Sequence, residues 1–131
     1  MKDCLRPEKG KVSNEIAVLA LAHVGDAVYE LMARTWLISQ GAVTARRLHS
    51  SAVSIVSSKA QAVSAERLLT ELSEDELSIY KRGRNAYANS APNGASYGEY
   101  HASTGIEALF GHLYLSGESE RLNELFGMIV D

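Results

Sequence analysis

Two carboxylates stand among apolar and small residues in this sequence. Asp26 lies within HisValGlyAspAlaValTyr at 23–29, and Glu107 lies within IleGluAlaLeuPhe at 106–110. Taking a charged group out of water costs several kcal/mol unless the group is paired, hydrogen-bonded or bound to a metal. Mg²⁺ is typically held by one or two carboxylates, with waters and substrate phosphate completing its octahedron. The two residues are therefore a candidate Mg²⁺ site.

Each carboxylate also has a purely structural interpretation. Asp26 fits the surface of an amphipathic helix. ThrGlyIleGlu at 104–107 fits a capping box, in which the Glu107 side chain would bond back to the amide at the start of a helix. Residue spacing alone leaves the metal site and these two interpretations open.

The elements that must position these residues are predicted to be helices. Helical periodicity is strong, whereas alternating strand patterns and paired hairpin signals are missing, so the sequence predicts an all-α domain. The most apolar segment, 14–39, predicts a helix at the centre of the domain. Ser13 or Asn14 can cap its start, Gly41 can end it, and Gly25 is a candidate bend.

Further helices are predicted along the rest of the chain. Thr44 caps a helical stretch that continues to about Leu69, with a candidate break at 57–59. Leu72, Ser73 and Glu76 supply a hydrophobic staple and a capping box, which predict a helix starting at Glu74.

A loop is predicted at 88–102, because its Asn, Pro and Gly residues give neither periodicity nor burial. Long loops in compact domains often carry function, so this one is a candidate substrate clamp or else a plain connector. Two last helices, 104–115 and 120–130, are predicted on either side of a turn at 116–118.

Charge is distributed unevenly along the chain. The net charge of -3 hides a basic middle region, in which seven bases stand against one acid in the stretches 43–67 and 81–84. From residue 91 onward, six acids stand against one base. A basic region is what contact with a phosphate backbone requires, although a solvated helix face would have the same composition.

Length and composition set the class of protein. The 131 residues predict a single domain, 1–131, and 46% hydrophobic with 22% charged residues is ordinary for a globular protein. No stretch approaches about 18 uninterrupted apolar residues, so no membrane span is expected. The charged start has no apolar signal region, and a lone Cys4 cannot form an internal disulfide, which together predict a cytoplasmic protein.

Three motifs, taken in order, resemble a known family. AlaHisValGlyAspAlaValTyrGlu at 22–30 resembles the signature helix of the ribonuclease III family, and ThrGlyIleGluAlaLeuPheGly at 104–111 resembles its second acidic motif. LysArgGlyArgAsnAla at 81–86 is similar to a run in the Mini-ribonuclease III branch, which has the catalytic domain without a double-stranded-RNA-binding domain. The resemblance covers nearly the whole chain.

The resemblance implies an all-α ribonuclease III endonuclease fold and a homodimer that lies along duplex RNA. It also implies Mg²⁺-dependent cleavage that leaves a 5′-phosphate and a 3′-hydroxyl. Asp26 and Glu107 stand at the positions of the family's catalytic, metal-binding acids. Full-length ribonuclease III enzymes carry further acids where this chain has Ala22 and Thr104, a departure that is itself similar to the Mini-ribonuclease III branch.

The leading hypothesis combines the site with the resemblance. Asp26 and Glu107 would hold Mg²⁺, which would generate the attacking hydroxide and stabilise charge on the scissile phosphate. Seven residues in or next to the basic region are candidates for RNA binding: Arg46, Arg47, Lys59, Lys81, Arg82, Arg84 and Asn85. Asn85 is also a candidate cap for the end of its helix.

For this branch, the resemblance implies maturation of 23S ribosomal RNA, the large-subunit RNA, and a ribosomal protein that presents the RNA is a further candidate partner. Two alternatives remain. The chain could be a catalytically silent RNA-binding module of the ribosome, or a homodimeric helical interaction domain with no RNA role.

Overall fold

Six helices make up the described chain in the computed structural model, which describes residues 3–86 and 97–131. Within those ranges no β-strand occurs, so the expected all-α class is confirmed. In chain order the helices are α1 Val18–Ser39, α2 Ala45–Val56, α3 Ser58–Leu68, α4 Glu74–Asn85, α5 Tyr97–Leu115 and α6 Ser119–Val130.

Several helix ends lie where local chemistry predicts them. The Thr44 hydroxyl accepts a hydrogen bond from the Arg47 amide at 3.2 Å at the start of α2. The capping box of α4 is complete, because the Ser73 hydroxyl accepts from the Glu76 amide and Glu76 accepts from the Ser73 amide. Gly41 follows α1 with φ of 100°, a conformation that favours glycine over residues with a Cβ.

The start of α1 differs from the prediction. The helix begins at Val18 rather than at 14, and Ala17 at its N-cap provides no side-chain hydrogen bond. The side chain of Ser13 instead accepts a bond from the Glu15 amide in the turn that precedes the helix. Gly25 interrupts nothing, since α1 is continuous through it.

The loop predicted at 88–102 is wrong over its second part, because α5 already begins at Tyr97. Residues 88–96 of that prediction lie outside the described residues. Thr104 therefore lies inside a helix, where its hydroxyl donates to the Tyr100 carbonyl at 3.0 Å. The capping-box interpretation of Glu107 is wrong for the same reason.

The centre of the domain is α5 rather than α1. Nine residues of α5 are buried, and α1, α3, α4 and α6 all pack against it. By contrast, α1 leaves large apolar side chains in solvent, including Leu31 and Ile38. The long apolar stretch of the sequence therefore belongs to a helix, α1, with one buried and one exposed apolar face. It does not belong to the central helix.

Glycines allow α5 to approach two of its neighbours at backbone distance. A Cβ on Gly25 of α1 would overlap the carbonyl oxygen of Glu107, and one on Gly111 of α5 would overlap that of Leu21. On another side of α5, Gly83 of α4 lies directly against Gly105 and Ala108. These contacts fix the positions of α1 and α4 relative to α5.

An ion pair links α4 to α6. Arg121 donates to both carboxylate oxygens of Glu76 at 2.8 Å and to the carbonyl of Glu71 at 2.8 Å. These hydrogen bonds hold the pKa of Glu76 below its usual value. Since Glu76 also completes the capping box, one carboxylate serves both the start of α4 and the docking of α6.

We expect Gly25→Ala to lower the free energy of unfolding by about 3 kcal/mol, the upper end of overpacking costs, because the added methyl group meets backbone that cannot move aside. Urea denaturation measures this. The matched control is Gly127→Ala in α6, where a Cβ meets only the end of the Asp131 side chain. That substitution should stabilise the protein by up to about 1 kcal/mol. Equal effects at the two positions would contradict this description of the α1–α5 contact.

Candidate active site

Asp26 and Glu107 face each other across the contact between α1 and α5. Gly25, the residue before Asp26, lies against the backbone of Glu107. The two carboxyl groups consequently come within hydrogen-bonding reach of one another. The structure thus brings together the two acids that the sequence singled out.

The two carboxylates differ in their access to solvent. Asp26 is exposed, as in the interpretation that places it on the surface of an amphipathic helix. Glu107 is only partly exposed and makes the inner half of the pair. Burial raises the pKa of Glu107 to about 8, and the adjacent charge of Asp26 acts in the same direction. Without a cation, the Glu107 carboxyl therefore holds its proton near neutral pH.

Gln61 of α3 is the third member of the site and was missed in the sequence. Its side chain is 2% exposed, and its Nε2 donates to Glu107 Oε2 at 3.4 Å. This hydrogen bond opposes the effect of burial and lowers the pKa of Glu107. A signal did exist: Gln61, Ser64, Ala65 and Leu68 follow the spacing of one buried helix face, and all four are buried.

Other polar groups surround the pair. Glu30, one turn beyond Asp26 on α1, adds negative charge that also raises the pKa of Glu107. Glu30 itself pairs with Arg34 at 3.5 Å. On the inner side, Tyr29 is fully buried, and burial raises the pKa of its hydroxyl, with Ser64 of α3 beside it.

The positions where full-length ribonuclease III enzymes carry further acids hold no ligand here. Ala22 is buried and apolar. Thr104 is buried, and its hydroxyl is bonded to the carbonyl of Tyr100. In the described residues, no group of three or more His, Cys, Asp or Glu side chains could hold a metal together. The candidate metal site therefore consists of the carboxylates of Asp26 and Glu107, with Glu30 nearby as a further negative charge.

The basic side chains of α4 lie on its solvent half around the last turn. Lys81, Arg82 and Asn85 line one shallow pocket together with Val18. Arg84 extends over the Tyr80 ring, 5.9 Å from its centroid, and donates to Asn85 Oδ1 at 3.1 Å. Asn85 therefore holds Arg84 rather than capping the helix.

The remaining predicted RNA-binding residues lie on two other helices. Arg46 and Arg47 are exposed in the first turn of α2, and Lys59 is exposed in the first turn of α3. Lys59 lines a groove with Arg67 and Trp36, which the α4 bases do not share. The seven residues thus lie on three helices, and Lys59 and the α4 bases line different grooves.

Comparison with known proteins identifies the class. The Ribonuclease III domain model matches residues 19–118. Those residues include α1 from Leu19 onward, the whole of α2, α3, α4 and α5, and both carboxylates, whereas α6 lies beyond them. The chain belongs to the ribonuclease III family.

Individual relatives specify the branch. Over 86% of its length the chain is 44% identical to Mini-ribonuclease 3 of Symbiobacterium thermophilum, and covers 87% of that protein. Over 88% of its length it is 44% identical to Mini-ribonuclease 3 of Thermoanaerobacter, with 81% of that protein covered. A protein of Fusobacterium nucleatum solved by X-ray crystallography superposes with a TM-score of 0.83 at 26% identity, covering 92% of this chain and 98% of its own.

These relationships confirm the resemblance inferred from the motifs. The protein is an endoribonuclease, its substrate is RNA, and its family uses divalent metal ions. Among the described helices, none has the length and hydropathy that a membrane span requires.

We expect the metal-free protein to lose stability as pH rises from about 4.5 to about 8. The folded pKa of Glu107 lies above its usual value of 4.5, so the folded state binds this proton more tightly than the unfolded state does. The free-energy cost of ionising Glu107 in the folded state is therefore absent below about pH 4.5 and fully present above about pH 8. Urea unfolding at several pH values, in a chelator, measures the wild-type curve.

Glu107→Gln is the control for that experiment, because it keeps the shape of the side chain and removes its titration. The difference between wild type and variant should grow in favour of the variant across this pH range. A difference that stays constant with pH would show that Glu107 is not held protonated.

Proposed function

We propose that this protein is a Mg²⁺-dependent endoribonuclease that cleaves double-stranded RNA, in the maturation of 23S ribosomal RNA. The observation that carries the proposal is the facing pair of Asp26 and Glu107 at the α1–α5 contact. The family match supports the reaction class, and the proposed products are a 5′-phosphate and a 3′-hydroxyl.

The residues present fit a divalent cation. Two carboxylates lie side by side, and none of the ion pairs among the described residues includes either of them. Burial is the main cause of the raised pKa of Glu107, and the adjacent charge of Asp26 adds to it; a bound cation would offset both effects. Oxygen ligands of this kind suit Mg²⁺, with waters and a phosphate oxygen in the remaining positions. Asp26 and Glu107 would hold the ion.

The division of work between the two carboxylates follows from their burial. Asp26 is exposed and lies on the side from which a phosphate group can arrive, whereas Glu107 is backed by Gln61 and stays fixed in the protein. A bound Mg²⁺ supplies an activated water and offsets negative charge on the scissile phosphate. With those two functions supplied, the protein needs no side-chain nucleophile.

Shape rather than base sequence should dominate RNA recognition. A-form RNA displays its 2′-hydroxyls in a shallow minor groove and hides its major-groove edges. The bases at the end of α4, with Arg46, Arg47 and Lys59 elsewhere, would contact phosphates along such a duplex. The choice of ribosomal RNA precursor and the presenting ribosomal protein rest on the family resemblance alone. The proposed cytoplasmic location rests on the sequence features given above, among them the lone Cys4.

A homodimer is proposed on the outer face of α1. Four apolar residues follow one face of the helix, and two of them are large and more than half exposed: Ala20, Ala27, Leu31 at 59% and Ile38 at 53%. Val53 of α2, 51% exposed, shares a groove with Arg34 beside this stripe. Contiguous exposed apolar surface of this kind is typical of protein interfaces. A dimer formed there would carry two active sites, one for each RNA strand.

The proposed function predicts that Asp26→Asn and Glu107→Gln each lower the rate of duplex RNA cleavage in Mg²⁺ by more than about 100-fold, since each removes a metal ligand. Cleavage of a radiolabelled duplex measures this. Far-UV circular dichroism checks that the variants fold. Native rates in both variants would contradict the site assignment.

The same assay separates the alternatives. Duplex binding that weakens with salt, with no cleavage by the wild-type protein, would favour a silent RNA-binding module. Failure to bind duplex RNA even at low salt would leave the helical interaction domain.

We expect Leu31→Glu to convert the dimer into a monomer, because it places a charge in the centre of the proposed interface. Sedimentation velocity measures the mass. Val63→Glu is the matched control, since Val63 is 50% exposed on α3, away from the α1 stripe. A Leu31→Glu variant that sediments as a dimer would contradict the α1 interface, and a wild-type protein that sediments as a monomer would contradict the dimer itself.

A further inference from the structure

The break between α2 and α3 leaves one backbone carbonyl to be satisfied by a side chain. In a continuous helix the carbonyl of Val56 would accept from the amide of Ala60, four residues later. Here that amide donates to the Ser57 hydroxyl at 3.2 Å, because Ser57 caps the start of α3. The Gln61 side chain replaces the Ala60 amide as the donor, and its Nε2 donates to the Val56 carbonyl at 2.9 Å.

This contact sets the orientation of the Gln61 amide. A carbonyl can only accept, so the nitrogen of the amide must face Val56 and the oxygen must face away. The same nitrogen has a second hydrogen, and it donates to Glu107 Oε2 at 3.4 Å. The helix break therefore aims a donor, and not an acceptor, at the inner carboxylate of the site.

A glutamine here is a poor choice for stability alone. The side chain is 2% exposed, and its Oε1 has no hydrogen-bond partner among residues 3–86 and 97–131. Burying an unsatisfied acceptor costs free energy that a methionine of similar size would avoid. The neighbouring buried positions on this face of α3, Ala65 and Leu68, carry apolar side chains.

We propose that Gln61 is a positioning residue for metal binding, anchored on the Val56 carbonyl so that its Nε2 holds the Glu107 carboxylate in place beside Asp26. The inference rests on the proposed function, because it assigns Gln61 a role towards the ion that Asp26 and Glu107 would hold. Hydrogen bonds of this kind orient ligating carboxylates and contribute substantially to metal affinity. With Ala22 and Thr104 in place of further acids, α3 supplies this support through a neutral group.

The test measures metal binding without RNA and without turnover. Metal-free wild type, Gln61→Met, Ser64→Ala and Asp26→Asn are each titrated with Mn²⁺, and free Mn²⁺ is followed by its EPR signal. Gln61→Met keeps the size of the side chain and loses the donor, so its Mn²⁺ affinity should fall by about 10–100-fold. Ser64→Ala removes another buried polar group from α3, because the Ser64 hydroxyl donates to the Ala60 carbonyl. This variant should bind Mn²⁺ as the wild type does.

Urea unfolding in a chelator accompanies each titration, because loss of a core contact would change stability alone. A Gln61→Met variant that is less stable but binds Mn²⁺ with native affinity would overturn the positioning role and leave the proposed function intact. Wild-type affinity in Asp26→Asn would overturn the metal site itself, and the role of Gln61 with it. If Gln61→Met does not fold, Gln61→Asn replaces it. That side chain is one methylene too short to bridge Val56 and Glu107, and the same loss of affinity is expected.

Discussion

The close approach of the α1 and α5 backbones is the constraint on which the site depends. Gly25 and Gly111 let the main chains of the two helices touch, and Asp26 and Glu107 lie at that point. Because main-chain contact rather than side-chain packing sets the distance between the helices, the two carboxyl groups are brought together however unfavourable their repulsion is. Burial of Glu107, first, and the adjacent charge of Asp26, second, raise the pKa of Glu107 and so record the energetic cost of this arrangement.

The remaining elements support that contact from different sides. Phe110 and Phe126 pack their rings against buried Tyr29 at centroid distances of 5.1 and 5.9 Å, which holds α1, α5 and α6 together below the site. The ion pair between Glu76 and Arg121 ties α6 to the start of α4. From α3, Gln61 reaches the inner carboxylate. Every helix therefore takes part in fixing the pair directly or through a neighbour, and α2 does so through the Val56 carbonyl that anchors Gln61.

The sequence correctly predicted the helix ends and turns that local interactions determine. The caps at Thr44 and Ser73, the glycine after α1 and the turn before α6 depend on a few adjacent residues. The start of α5 at Tyr97 does not, since the exposed residues Tyr97 and Gly98 extend a helix whose buried part begins at Ser103. The pairing of Asp26 and Glu107 was a candidate from their apolar surroundings, and the family resemblance then favoured it. The orientation of Gln61 depends on a helix break and a neighbouring helix together. Neither can be derived from spacing along one helix.

The inner and outer faces of α4 differ in what they tolerate: the inner face packs tightly against α5, and the outer face carries basic side chains. Its inner face, with Gly83 against Gly105 and Ala108, allows no added side-chain atom, whereas its outer face carries Lys81 and Arg82 in solvent. If Lys81 and Arg82 contact RNA as proposed, substitutions on the outer face can change the strength of RNA binding without moving α4. Substrate preference can therefore diverge among related proteins while the catalytic geometry is inherited unchanged.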